Sequence, residues 1–100
     1  MRWLVKSQTR NVMVFMADET DGETGETGLT LTLTLSKNGG AFASISPTVT
    51  ERGNGWYSVA LDTTHTNTLG DLVLRATATG ADSAEVAMQV MPSYLFTGAI

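Results

Sequence analysis

Five carboxylates, Asp18, Glu19, Asp21, Glu23 and Glu26, fall within nine residues, and clustered carboxylates are the ligands that calcium takes. The EF-hand order D-x-[DN]-x-[DN]-G is missing, so the run reads as a solvated acidic loop, not as a metal site. Gly22, Gly25 and Gly28 punctuate the same stretch. A phosphate cradle would need a helix N-terminus behind those glycines, and a strand pattern follows instead. His65 is the only histidine, and the chain has no cysteine to complete a zinc site. No Gly-x-Ser-x-Gly elbow offers it a nucleophile. Trp56 and Tyr57 follow the Gly53-Asn54-Gly55 turn and could stack on a sugar ring; filling one end of a core is the competing use of such a pair. Tyr94, Leu95, Phe96 and Ile100 lie beyond Pro92 in no alternating strand, which marks them as partner surface. No residue is assigned a catalytic, metal-binding or cofactor-binding role.

The elements that must position these residues are strands. Leu29 to Leu35 alternate leucine and threonine without a break, which puts the leucines on one face of a strand and the threonines on the other. Each buried leucine contributes roughly 1.5–3 kcal/mol, so the register is strongly specified. Val12 to Met16 reads as a first strand, apolar on both faces. Lys37-Asn38-Gly39-Gly40 is a turn, and Ala41 to Pro47 a short edge strand or bend with Phe42 and Ile45 facing inward. Tyr57, Val59 and Leu61 share one face of the next strand. Asp62 to Leu69 begins with an N-cap residue and ends at Gly70, which predicts a single helical turn. Leu72, Leu74 and Ala76, then Val86, Met88 and Val90, are the inward positions of two closing strands. Six or seven short strands with no amphipathic helix fit an antiparallel two-sheet β-sandwich, with an up-and-down barrel as the lesser alternative.

One hundred residues make one domain. The expected division is a sandwich over residues 1–92 and an apolar tail over 93–100. A net charge of −4 argues against nucleic acid, which needs a basic footprint. Near the start only Trp3-Leu4-Val5 form an apolar run before a polar stretch, short of the roughly 7–15 that a signal peptide uses. No apolar run approaches the ~20 residues of a membrane helix. The expectation is a soluble protein without an export signal or a membrane partner.

Gly28-Leu29-Thr30, Lys37-Asn38-Gly39-Gly40-Ala41-Phe42, Gly53-Asn54-Gly55-Trp56-Tyr57 and Asn67-Thr68-Leu69-Gly70 stand in the order of a "GLT" strand, a "K-D/N-GG-x-F" turn, a "G-N-G-W-Y" turn and a "D-T-x-G" loop. The last departs from its pattern by Asn67. Over residues 3–91 this resembles a module common in structural proteins of tailed bacteriophages. The resemblance implies an all-β, immunoglobulin-like antiparallel sandwich of about seven short strands, and no enzyme activity. It further implies a virion component made in the host bacterial cytoplasm: a small capsid decoration or cement protein, or else an upper baseplate, tail or fibre adaptor. Its partners would be the major capsid protein or a tail or baseplate protein, together with further copies of itself. A carbohydrate-binding module for host attachment, with Trp56 and Tyr57 as the platform, is the rival from another class. Trp3, Leu4, Tyr94, Leu95, Phe96 and Ile100 are the expected interface residues.

Overall fold

A computed structural model describes residues 2–92. Tyr94, Leu95, Phe96 and Ile100 therefore lie outside the described residues. Eight strands run through the described residues: β1 (Arg2–Val5), β2 (Arg10–Phe15), β3 (Thr32–Lys37), β4 (Ala43–Ile45), β5 (Thr48–Gly53), β6 (Trp56–Leu61), β7 (Gly70–Ala78) and β8 (Ala81–Met91). They form a five-stranded sheet, β1-β8-β7-β3-β4, and a three-stranded sheet, β2-β6-β5. Every pairing is antiparallel except that of β1 with β8. The chain stays in one sheet through β3–β4, β5–β6 and β7–β8 and crosses between the sheets at every other connection, the strand order of an immunoglobulin-type sandwich.

The alternation that specifies these strands also builds the core. Val12 and Val14 of β2, Leu33 and Leu35 of β3, Tyr57, Val59 and Leu61 of β6, and Leu72, Leu74 and Ala76 of β7 are all buried. Met88 and Val90 complete it from β8, while Val86 packs on its margin. This is one cluster drawn from both sheets, as a sandwich requires.

Several expectations change. The Leu-Thr strand starts at Thr32, so Leu33 and Leu35 are core while Leu29 and Leu31 are half-buried ahead of it. The reason lies in the opposite sheet: the Leu29 amide donates to the Tyr57 hydroxyl at 3.2 Å, and Gly28 turns with a φ of +72°. Those contacts hold the chain away from the β3 ladder. Strand β2 is apolar on both faces by composition, yet Met13 is exposed and only one face enters the core. Phe42 is exposed, not inward, because it precedes the short edge strand β4 and lies outside the core. Ile45 is half-buried at the core margin, as expected.

Residues 62–69 form no helix. Asp62 still acts as a cap, its carboxylate accepting the Thr64 amide at 2.9 Å and the His65 amide at 3.2 Å. The turn ends there because Thr66 is drawn inward. Its buried hydroxyl donates to the Gln8 carbonyl at 2.8 Å and accepts the Gln8 amide at 3.1 Å, which ties this connection to the β1–β2 link. Strand β1 adds an element the pattern did not reveal, and it carries Leu4 into the core at 1% exposure.

Candidate functional site

Ahead of the β5 bulge, where the exposed Arg52 lies, the three-stranded sheet has eight outward positions: Asn11, Met13 and Phe15 on β2, Trp56, Ser58 and Ala60 on β6, and Thr48 and Thr50 on β5. None of the eight is charged. The register sets Phe15 opposite Trp56, Met13 opposite Ser58, and Ser58 opposite Thr50. The Phe15 and Trp56 rings meet at 5.2 Å between centroids, tilted by 52°, within the range that aromatic pairs favour. Trp56 keeps 43% of its surface exposed and Met13 37%. Ser58 is buried on this outer face because it sits on the central strand between longer neighbours. The result is an uncharged surface with an aromatic end.

A clamped turn presents that aromatic end. Gly53, Asn54 and Gly55 all have positive φ, and Gly55 packs so closely on Gly25 that a Cβ added at Gly55 would collide with the Gly25 Cα. The Met16 amide donates to the Gly55 carbonyl at 2.8 Å, and the Glu26 amide to the Met16 carbonyl at 2.8 Å. Tyr57 anchors the same loop from within, its hydroxyl donating to the Glu26 carbonyl at 2.8 Å. Tyr57 is 1% exposed, so it is a core residue and leaves Trp56 alone of the expected aromatic platform. Phe15 is the second ring instead. Its place there is legible only from the β2–β6 register.

The outer face of the five-stranded sheet differs in chemistry. Trp3 is exposed there opposite Gln89, but Asp71, Arg75 and Glu85 share that face, with an exposed ion pair at 3.5 Å between the Arg75 Nε and Glu85. Leu4, expected at an interface, points the other way into the core. Trp3 thus remains a surface residue, whereas Leu4 does not.

The acidic run is a set of local turns. Asp21 accepts the Glu23 and Thr24 amides at 2.8 and 2.9 Å and the Thr24 hydroxyl at 2.6 Å. The Thr24 hydroxyl and these amides pull its pKa down to about 2. Asp18 accepts the Thr20 amide at 2.8 Å, and this bond, with help from the Glu26 carboxyl, holds it below the usual aspartate value. Glu26 is pushed up because it hydrogen-bonds the Asp18 carboxylate. Among the described residues no three His, Cys, Asp or Glu side chains are gathered to hold a metal. His65 uses its Nδ1 to accept the Asp62 amide at 3.0 Å. It lines a groove of about 520 Å³ with Leu35, Ala43, Ile45 and Lys37, whose Nζ donates to the Thr64 carbonyl and to Asn67. No helix among the described residues is long and apolar enough to cross a membrane.

No family model and no curated protein matches the sequence. Among solved structures, the chain is similar to the one titled "Crystal structure of the ZIG-8 IG1 homodimer", at 8% identity and a TM-score of 0.47, over 91% of this chain and 78% of that one.

Proposed function

We propose that this chain is a noncatalytic structural protein of a tailed-bacteriophage particle, a capsid decoration or cement protein that binds the particle lattice and other copies of itself. The observation that carries the binding reading is the outer face of the three-stranded sheet, where the uncharged Met13 and Phe15 of β2 lie with Trp56, which follows the clamped turn. An exposed apolar surface rimmed by polar residues is suited to protein contact. The virion context comes from the sequence resemblance over residues 3–91, and the same resemblance admits an upper baseplate or tail-fibre adaptor. In either place the mechanism is the same: burial of apolar surface where larger subunits meet, with useful interfaces covering on the order of 1,200–2,000 Å² in total. The chemistry needs no cofactor.

The test is binding to particles assembled without this chain. Added protein is expected to co-sediment with them saturably, and Trp56→Ala together with Met13→Lys is expected to weaken that binding at least about tenfold while the fold persists. Absence of saturable binding to any head, tail or baseplate assembly would sink the reading. A second reading, a carbohydrate-binding module, is favoured by Trp56 standing on the same face as Asn11 and Thr50. Glycan binding that disappears in Trp56→Ala would support it over lattice attachment.

A further inference from the structure

Among the described residues four strands lie at sheet edges, and three of them carry features that block pairing with another chain. Strand β1 has four residues, opens at Arg2 and is followed by Lys6. Strand β4 has three residues, with Pro47 just beyond. Strand β5 carries Glu51 and Arg52, and its register breaks between Glu51 and Gly53. Short strands, charges, proline and bulges are the devices by which proteins protect exposed edges. The stretch of β8 left between β1 and the Asp18–Ala81 bridge carries Asp82 and Glu85. Strand β2 is the least protected: it opens at Arg10, and just past its end the Asp82 amide donates to the Ala17 carbonyl, but Asn11 to Phe15 between them carry none of these devices. It runs six residues, pairs only with β6 among the described strands, and after Arg10 continues as Asn11-Val12-Met13-Val14-Phe15 with no charge, proline, glycine or bulge. Such an edge is a ready template for a further strand.

We propose that the free edge of β2 receives residues 94–100 of a second copy of this chain, so that copies join by donating a strand to one another. The segment Tyr94-Leu95-Phe96-Thr97-Gly98-Ala99-Ile100 is seven residues long, against six in β2, and none of its side chains is charged. It contains tyrosine, phenylalanine, threonine and isoleucine, which suit a strand. Its origin at the end of β8 disfavours the β2 edge of its own molecule. Strand β8 ends at Met91, whose carbonyl accepts the Lys6 amide at 3.0 Å, and residues 6–9 link β1 to β2 at that same end. To lie beside its own β2, the segment would have to cross that link, and connections seldom cross at one end of a sheet. A second copy faces no such crossing. Donor and acceptor are different parts of the chain, so the contact closes as a reciprocal pair or ring, or else propagates.

The inference deepens the proposed self-association and names its two halves. It is tested on the full chain without any particle, so a failure of particle attachment leaves it standing. Light scattering from micromolar to near-millimolar concentration reads association, and amide hydrogen exchange at both limits reads its site. Exchange of the β2 amides is expected to slow by at least about tenfold on association, with β4 and β5 unchanged. The Leu95→Asp/Phe96→Asp chain is expected to stay monomeric with fast β2 exchange, and unchanged β6 exchange shows that it is folded. A chain that stays monomeric throughout overturns the proposal, as does association that protects another edge. Slow β2 exchange already in the monomer does so too, because the edge is then covered from within. Association that survives in the double variant identifies β2-to-β2 pairing instead and also overturns it.

Discussion

Tyr57 carries the tightest link between the core and the acidic loop. Its ring is buried, and its hydroxyl both donates to the Glu26 carbonyl and accepts the Leu29 amide. Tyr57→Phe keeps the packing and removes both bonds, so it is expected to cost about 1–3 kcal/mol in denaturant unfolding. A loss near zero would mean that water replaces the hydroxyl at no cost. Trp56, one residue away, faces out, and Trp56→Ala is expected to change stability by less than Tyr57→Phe. The acidic loop adds a pH signature. Asp21 has its pKa lowered to about 2, so its stabilisation is complete above the ordinary aspartate value and is lost as pH falls through about 2. Asp21→Asn is expected to remove that part of the acid limb. Glu26 has the opposite sign. Its pKa is raised, so the proton it shares with Asp18 stabilises at acid pH and is lost as pH rises through the raised value. Glu26→Gln carries a permanent donor and is expected to melt higher than the parent at neutral pH, with the gain vanishing in acid. A variant that melts lower at every pH would show that the carboxyl is not acting as a donor to Asp18. Neither partner of these bonds is legible from composition: Asp21 and Thr24 are close in sequence, but the Glu26–Asp18 contact needs the loop to be closed.

The β3 element shows what alternation can and cannot convey. Its period of two assigns faces correctly, with Leu33 and Leu35 in the core and Thr32 outside. It does not locate the start of the ladder, because the half-buried Leu29 and Leu31 continue the pattern while Tyr57 and Gly28 hold the chain elsewhere. Leu33→Asp is expected to abolish folding, since an unpaired buried charge costs several kcal/mol against a total stability of about 5–15 kcal/mol. Thr32→Asp, one position along, is expected to melt within a few degrees of the parent. Equal behaviour of the two in thermal unfolding would contradict the register. Elsewhere the same period was sufficient for β6, β7 and β8, whose buried faces follow the expected residues. It failed for β1, four residues flanked by charge, whose parallel partner lies more than 80 residues along the chain. The helical turn at 62–69 failed for another reason. Asp62 supplies the cap, but Thr66 turns into the molecule toward Gln8, a contact that no local signal announces.

Across the described residues, charge is distributed unevenly between the faces of the two sheets. The negative charge is concentrated in the acidic loop, and the three-stranded sheet carries Arg10, Glu51 and Arg52 at its margins, while its eight central outward positions carry no charge. The candidate site was only half legible for that reason. Trp56 was visible beside its glycine turn, but its partner Phe15 lies 41 residues earlier in the chain and joins it only through strand pairing. Trp3 remains an exposed residue on the opposite face, and Leu4 leaves the interface for the core. The central claim, a sandwich that acts by occupying a lattice, is tested most directly by a cryo-EM map of particles that contain this chain. The account predicts eight-stranded density at fixed stoichiometry, with the Met13–Phe15–Trp56 face against a neighbouring subunit. Density at that stoichiometry with this face open to solvent, or purified particles that lack the chain altogether, would contradict it.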